Sequence, residues 1–245
     1  MKNRPSIVAE TDDYVIVNKP PRFLTLPDRY AHGLNNLYHY LEDKYGKIYT
    51  VHRLDKETSG ILVFAKTEEM HRDLSRQFQQ RTVTKRYLTL VQGRVHERTG
   101  TIDKPIGPHP TRKDRMAIVR TGKRSITEWE VVEYFDNYTL LSCEIKTGRT
   151  HQIRVHLQSV GYPLAVDPLY SSQQAFMVSS LKGKRYNRGK DEEERPIMDR
   201  SILHAHELAF DAGGERVKYQ ADLPKDFAAV LKQLHKWGQT QKAPV

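Results

Sequence analysis

Cysteine is nearly absent. Cys143 stands alone among 245 residues, so no internal disulfide can form, and a reducing cytoplasm is the natural setting. Long apolar runs are absent too. The first twenty residues carry charges throughout and lack the apolar stretch of a signal peptide, and no segment is long and apolar enough to span a bilayer. The glycine patterns that cradle nucleotide phosphates do not occur, so no cofactor is expected. One cysteine cannot build the Pro-Cys-x-x-Cys of a zinc deaminase. His204 and His206 share a strand face, but no further ligand types cluster with them in sequence, so no metal site is expected. A clear linker is also missing. With 38% hydrophobic residues the chain can bury a core, and residues 1–245 read as a single domain.

The most informative absence is that of acid in one window. Net charge is +10, from 40 Lys+Arg against 30 Asp+Glu. Met70–Ser125 holds 14 of the cations and only 4 of the acids, which accounts for the whole surplus. Concentrated positive charge points to a polyanion whose counterions are released on binding. A solvated basic surface is the plain alternative. An anionic membrane fits poorly, because the window is not one amphipathic helix.

Ile7–Glu10 and Tyr14–Asn18 read as short strands joined by Asp12-Asp13, the second stopped by Pro20-Pro21. Apolar and aromatic spacing predicts a helix from Leu34 to Tyr45, closed by Gly46. Ile61–Ala65 is a compact apolar strand. Thr67 is the expected N-cap of a helix reaching about Gln80. Arg86–Gln92, Ile126–Tyr134, Leu140–Ile145 and Ile202–Phe210 read as strands, and Pro224 starts a terminal helix to Trp237. Thr150–Val160 reads as a helix, its apolar stripe Ile153, Leu157 and Val160 lying beside a polar one of His151, Arg154 and Gln158. Lys182–Arg195 reads as a charged surface loop. With strands dominant and no βαβ rhythm, the expected class is α+β with a mostly antiparallel or mixed sheet and flanking helices.

Three segments carry candidate chemistry. Asp55 lies between Arg53 and Lys56 in a loop that ends in Gly60; nearby cations favour an ionised carboxylate, which is a usable nucleophile. A structural salt bridge on a surface loop is the alternative. Arg154, a turn inside the helix after Thr147-Gly-Arg149, can hold a carboxylate or phosphate bidentately, or simply be an exposed helical arginine. Tyr87, flanked by Lys85 and Arg86, suits base stacking or core packing. Cys143 alternates with polar neighbours on a strand and reads as core.

The string His52-Arg-Leu-Asp-Lys-Glu-Thr-Ser-Gly60 resembles the signature of the RluA family of pseudouridine synthases. Three later segments resemble it in order: Lys85-Arg-Tyr87, Gly148-Arg-Thr-His-Gln-Ile-Arg154 and Leu203-His-Ala205. The likeness runs from about Glu10 to the terminal helix. It implies a bent, mostly antiparallel sheet with a central RNA-binding cleft, and an RNA uridine isomerase with Asp55 as nucleophile. It implies that Tyr87 stacks on the target base and assists removal of its C5 proton, that Arg154 pairs with Asp55, and that Arg53 enters the RNA helix beside the flipped base. His52, Leu54 and Thr58-Ser-Gly60 would shape the loop. Some relatives carry an N-terminal S4-type RNA-binding domain; the 50 or so residues before this signature are better used as first strands and helix of the catalytic domain.

The implied reaction breaks N1–C1′, turns the uracil and joins C5 to C1′, with no redox change and no cosubstrate. Asp55 could attack C1′ or C6, or assist elimination from the ribose; a carboxylate suits each. A base-excising glycosylase and a non-catalytic RNA-binding module are the competing readings. The expected substrate is a stem-loop of ribosomal or transfer RNA, where a loop uridine is cheaper to extrude than a paired one. Arg112, Lys113 and Arg115, with Lys85, Arg86 and Arg149, are the expected RNA contacts, and the chain is expected to act as a monomer.

Overall fold

A computed structural model describes residues 4–27, 35–182, 194–238 and 241–242. In chain order the elements are β1 (Ser6–Glu10), β2 (Tyr14–Lys19), α1 (Leu37–Tyr45), β3 (Tyr49–Thr50), β4 (Ser59–Ala65), α2 (Glu68–Gln80), β5 (Thr84–Gln92), β6 (Thr99–Asp103), β7 (Ile106–Pro108), β8 (Met116–Ile118), β9 (Ile126–Tyr134), β10 (Tyr138–Ile145), α3 (Gln152–Ser159), α4 (Val178–Lys182), β11 (Leu203–Ala212), β12 (Glu215–Gln220), α5 (Lys225–Trp237) and β13 (Gln241–Lys242). The expected α+β class with mixed strand pairing is what the chain adopts. It divides into two compact units, Met1–Tyr87 with His204–Pro224, and Leu88–Leu203 with Lys225–Val245.

In the first unit the strand order is β1-β2-β4-β11, with β3 against β4 and β12 against β11. β2 and β4 pair antiparallel from Tyr14↔Ala65 to Lys19↔Gly60. β4 and β11 pair parallel at His204↔Ser59 and Ala205↔Gly60. Every residue of β4 is buried, as a strand covered on both faces requires; Phe64 alone stabilises the core by about 1.5–3 kcal/mol. Gly60 is obligatory at the parallel pairing. Its φ is +120°, and a Cβ there would lie 2.1 Å from the Ala205 carbonyl oxygen. α2 starts where Thr67 accepts from the Met70 amide, with Glu68 and Glu69 in its first turn. α1 starts at Leu37 rather than Leu34, because the Asn36 side chain takes the His39 amide and fixes the cap there. Leu34 itself lies outside the described residues.

In the second unit β10 pairs antiparallel with β9, which is flanked by β6 and β13. β7 and β8 form a separate hairpin. It packs through Ile106, Met116 and Ile118 on Val155 of α3 and on Tyr170. The terminal helix is tied down by Arg200, whose buried guanidinium donates to both Asp226 carboxylate oxygens at 2.7 and 2.8 Å.

The helix after Thr147 differs from its sequence reading. Of the expected polar stripe, Gln158 is exposed and His151 half-buried, but Arg154 is buried, and so are Gln152 and His156 on the same helix. Each buried polar group is satisfied inside the protein, as burial demands. Gln152 accepts from Thr147 Oγ1 and the Arg149 amide, and its Nε2 donates to the Ile126 carbonyl and Thr127 Oγ1. His156 bonds Thr127 Oγ1 and the Lys104 carbonyl. Most of the expected Lys182–Arg195 loop lies outside the described residues.

Candidate functional site

Asp55 sits on the loop between β3 and β4, and the backbone of that loop is held at several points. The buried Thr25 hydroxyl accepts from the Leu54 amide at 3.2 Å and donates to the Leu54 carbonyl at 2.9 Å. The Thr58 amide returns to the Asp55 carbonyl. Lys19, fully buried, donates its ammonium to the carbonyls of Pro20, Phe23 and Lys56 at 3.1, 2.8 and 3.2 Å. Three acceptors match the three donors of an ammonium, which makes a buried cation tolerable and pins the loop on the C-terminal side of Asp55. His52 accepts the Val63 amide at Nε2 and stacks on Phe78. Burial, and then the charge of Lys85, push its imidazole down to about 3, so it is neutral at physiological pH. Ser59 bonds His204 Nδ1 at 3.0 Å. The loop thus carries Asp55 half-buried, with Arg53 and Lys56 exposed on either side of it.

Tyr87 belongs to the same unit. It is 8% exposed on β5. Burial first, and then the negative charge of Asp55, push its phenol above the ordinary range. The carboxylate and the phenol therefore share one electrostatic neighbourhood, and the hydroxyl is protonated at neutral pH. Beside it Lys85 lies over the Phe78 ring and Arg86 is exposed, 3.8 Å from Glu207.

Arg154 lies in the second unit. Its Nε and Nη2 donate to the two oxygens of Asp167, both at 2.7 Å, and the pair is buried. Asp167 Oδ1 also accepts the amides of Leu169 and Tyr170. The Tyr170 ring lies under the guanidinium, 4.9 Å from its carbon. Its hydroxyl accepts the Met116 amide at 2.7 Å and bonds His151 Nδ1 at 2.8 Å. Asp167 and Tyr170 had escaped the sequence reading. The only local signal was Asp167-Pro168, a turn-initiating pair. Arg149 is half-buried, and its Nε is buried without a hydrogen-bond partner. Arg112 and Lys113 are exposed in the loop that joins β7 to β8, and Arg115 is half-buried where that loop enters β8.

The remaining candidates have structural occupations. His204 Nε2 and His206 Nδ1 both approach the Ala221 carbonyl. Cys143 is fully buried, which pushes its thiol up to about 12 and leaves it without thiolate character. No helix among the described residues is long and apolar enough to cross a membrane.

A family model described as RNA pseudouridylate synthase matches residues 13–159. The chain is 40% identical over 235 residues to a ribosomal large subunit pseudouridine synthase D of Nitrosomonas europaea, covering 93% of this chain and 64% of that one. It is 36% identical over 245 residues to an uncharacterized RNA pseudouridine synthase of Bacillus subtilis, covering 95% and 73% respectively. Among solved structures it resembles human RNA pseudouridylate synthase domain containing 1, with a TM-score of 0.70 and 26% identity over 99% of this chain and 91% of that one.

Proposed function

Since the chain belongs to the RNA pseudouridylate synthase family, whose members isomerise uridine to pseudouridine in RNA, we propose that it does so at a loop uridine of structured ribosomal RNA, with Asp55 as nucleophile. The observation that carries this reading is the Asp55 loop: a carboxylate presented between exposed cations on a loop that a buried lysine and a buried threonine hold from both sides. Such fixation keeps the nucleophile oriented before the substrate arrives. Relatives named for the ribosomal large subunit favour ribosomal over transfer RNA.

In the proposed reaction the target uridine leaves its stack. Tyr87 supplies a ring against the base and a hydroxyl that serves proton movement at C5. Asp55 carries the base or sugar carbon while N1–C1′ breaks and C5–C1′ forms; N1 gains a proton and C5 loses one, so the reaction balances without an oxidant. Arg154, gripped along one edge by Asp167, supplies a positive charge of fixed orientation. Arg53 supports the extruded state, and Arg112, Lys113, Arg115, Lys85, Arg86 and Arg149 hold phosphates. A monomer acting in the cytoplasm completes the reading, in keeping with the single buried cysteine. The test is incubation with ribosomal RNA carrying 5-tritiated uridine, followed by nucleoside analysis. Tritium release with an isomerised base retained in the chain is expected. Free uracil would make it a glycosylase, and no change in the RNA would leave only a binding protein.

A further inference from the structure

The β7–β8 hairpin encloses a cavity of about 280 Å³ against α3 and Tyr170. Its walls are of two kinds. Met116, Ile118 and Val155 make an apolar lining, while Arg112, Arg115, Gln158 and Ser159 bring polar groups to the same space. None of the lining residues is acidic. Arg115 Nε is buried and has no hydrogen-bond partner. An orphaned buried donor on a cation carries the cost of lost hydration with nothing to offset it. An anion of tetrahedral shape would supply what is missing: oxygens for two guanidinium groups, in a setting whose apolar walls keep the local dielectric low and the attraction strong.

The floor of this cavity is also the residue that lies under the guanidinium of Arg154. Tyr170 is 5% exposed. Its hydroxyl accepts the Met116 amide of the hairpin, and its ring faces Arg154. Burial raises the Tyr170 phenol, while the Met116 amide, Arg154 and Arg115 oppose the rise. Both arginines are therefore close enough for their charges to be felt at one hydroxyl.

The geometry points to a seat for one phosphate group beneath the β7–β8 hairpin, with Arg112 and Arg115 as its cationic walls and an RNA backbone phosphate as its occupant. This deepens the proposed function and rests on it for the RNA source of the phosphate. The seat is a built site rather than a share of a diffuse basic surface, and the neighbouring Lys113, which is exposed and does not line the cavity, provides the contrast.

The experiment has two arms, each run on the full chain and on Arg115→Gln, Arg112→Gln and Lys113→Gln. In the first, inorganic phosphate replaces chloride at constant ionic strength and thermal unfolding is followed. Wild type and Lys113→Gln should gain roughly 2 °C or more at saturating phosphate, and the two arginine variants should gain little. In the second, affinity for a ribosomal RNA stem-loop is measured against salt. Arg115→Gln should flatten the log–log slope by about 0.7, the share of one phosphate contact. In the phosphate arm, an equal stabilisation of the arginine variants, or its loss in Lys113→Gln, overturns the seat. An unchanged RNA slope in Arg115→Gln, with its phosphate response lost, overturns the RNA occupant in favour of a free phosphate. Should Arg115→Gln fail to fold in phosphate-free buffer, Arg112→Gln decides both arms. Tritium release from the same stem-loop by wild type reports separately on the isomerase reading, so failure of one leaves the other legible.

Discussion

Asp55 and Arg154, two side chains with proposed roles in the reaction, are held by opposite means. At Asp55 the protein grips the backbone on both sides, through Thr25, Lys19 and the Thr58 amide, and leaves the carboxylate half-buried. At Arg154 it grips the side chain itself, with a buried carboxylate along one edge and an aromatic ring under the face. The nucleophile role proposed for Asp55 requires a side chain that can form and release a bond, so fixing the backbone around it suits that role. A cation that serves by its position gains from a side chain that cannot rotate. The two sites should therefore answer mutation differently: changes at the loop should cost rate with little stability, and changes around Arg154 should cost both.

The sharpest test of the first half is Asp55→Asn. The amide keeps shape and loses charge. Turnover should fall at least ~10⁴-fold, the scale on which removing a nucleophile acts, while thermal unfolding and RNA affinity stay near wild type. Substantial tritium release by a folded variant would remove Asp55 from its role. Tyr87→Phe comes next. The ring can still stack, so RNA affinity should change little, whereas single-turnover rate should drop by roughly 10²–10⁴, the usual worth of a positioned proton-transfer group. Because the phenol is pushed above its ordinary range, the wild-type rate should show no loss of a tyrosine proton anywhere near neutral pH. A Phe variant with near wild-type rate would reduce Tyr87 to a stacking surface.

How much of this contrast was legible in the sequence follows from what each site is made of. Asp55 stood out because the motif that singles it out lies within the nine residues from His52 to Gly60, whereas Thr25 and Lys19, which hold its loop, gave no such local signal. Even Gly60 had a local reason to be noticed, though the cause of its necessity, the Ala205 carbonyl 2.1 Å from any Cβ, lies 145 residues away. Strand and helix positions were legible wherever apolar spacing met a stop: Thr67, Gly46 and Pro224 each marked an element end within a residue or so. The Arg154 surroundings were not. A period of 3.6 says which residues share a face but not which faces are covered, so the buried Arg154 was grouped with the exposed Gln158 in one polar stripe. The partner that makes burial affordable, Asp167, stands 13 residues on in an irregular segment with no pattern to announce it. The short strands β6, β7 and β8 were equally silent, being only three to five residues long.

Asp167→Ala tests the second half. It strands a buried guanidinium and removes the acceptor for two backbone amides. Loss of one partner from a buried pair costs about 3–5 kcal/mol, which in a chain of this size lowers Tm by roughly 10 °C. Turnover of the surviving folded protein should fall as well. Asp167→Asn retains an oxygen for the Leu169 and Tyr170 amides and should lie between Ala and wild type in both readouts. A stable Asp167→Ala with reduced rate alone would mean that the pair is tuned for chemistry and contributes little to the fold.

The smallest expected effect concerns one histidine in each unit, half-buried in the first and buried in the second, to which no role in the chemistry is given. His52, beneath the Asp55 loop, is held down to about 3 by burial and by Lys85. His156, on α3, is also lowered, again by burial first. An unfolded chain protonates histidine near its ordinary value of about 6.5. Between that value and the lowered one, the unfolded state binds a proton that the folded state refuses, so stability is present above pH 6.5 and is lost as pH falls toward 3. His52→Gln keeps an oxygen to accept the Val63 amide and removes the proton site. It should leave urea midpoints at pH 7.5 within a small margin of wild type and make the decline between pH 6.5 and 4.5 shallower. His156→Gln should do the same to a smaller degree, since its imidazole also donates or accepts at both nitrogens and Gln cannot span both partners, so part of its effect will appear at pH 7.5 as well. If His52→Gln loses stability as steeply with acid as wild type does, then the imidazole takes up its proton in the folded state, and the loop that carries Asp55 is open to water in a way its hydrogen bonds do not suggest.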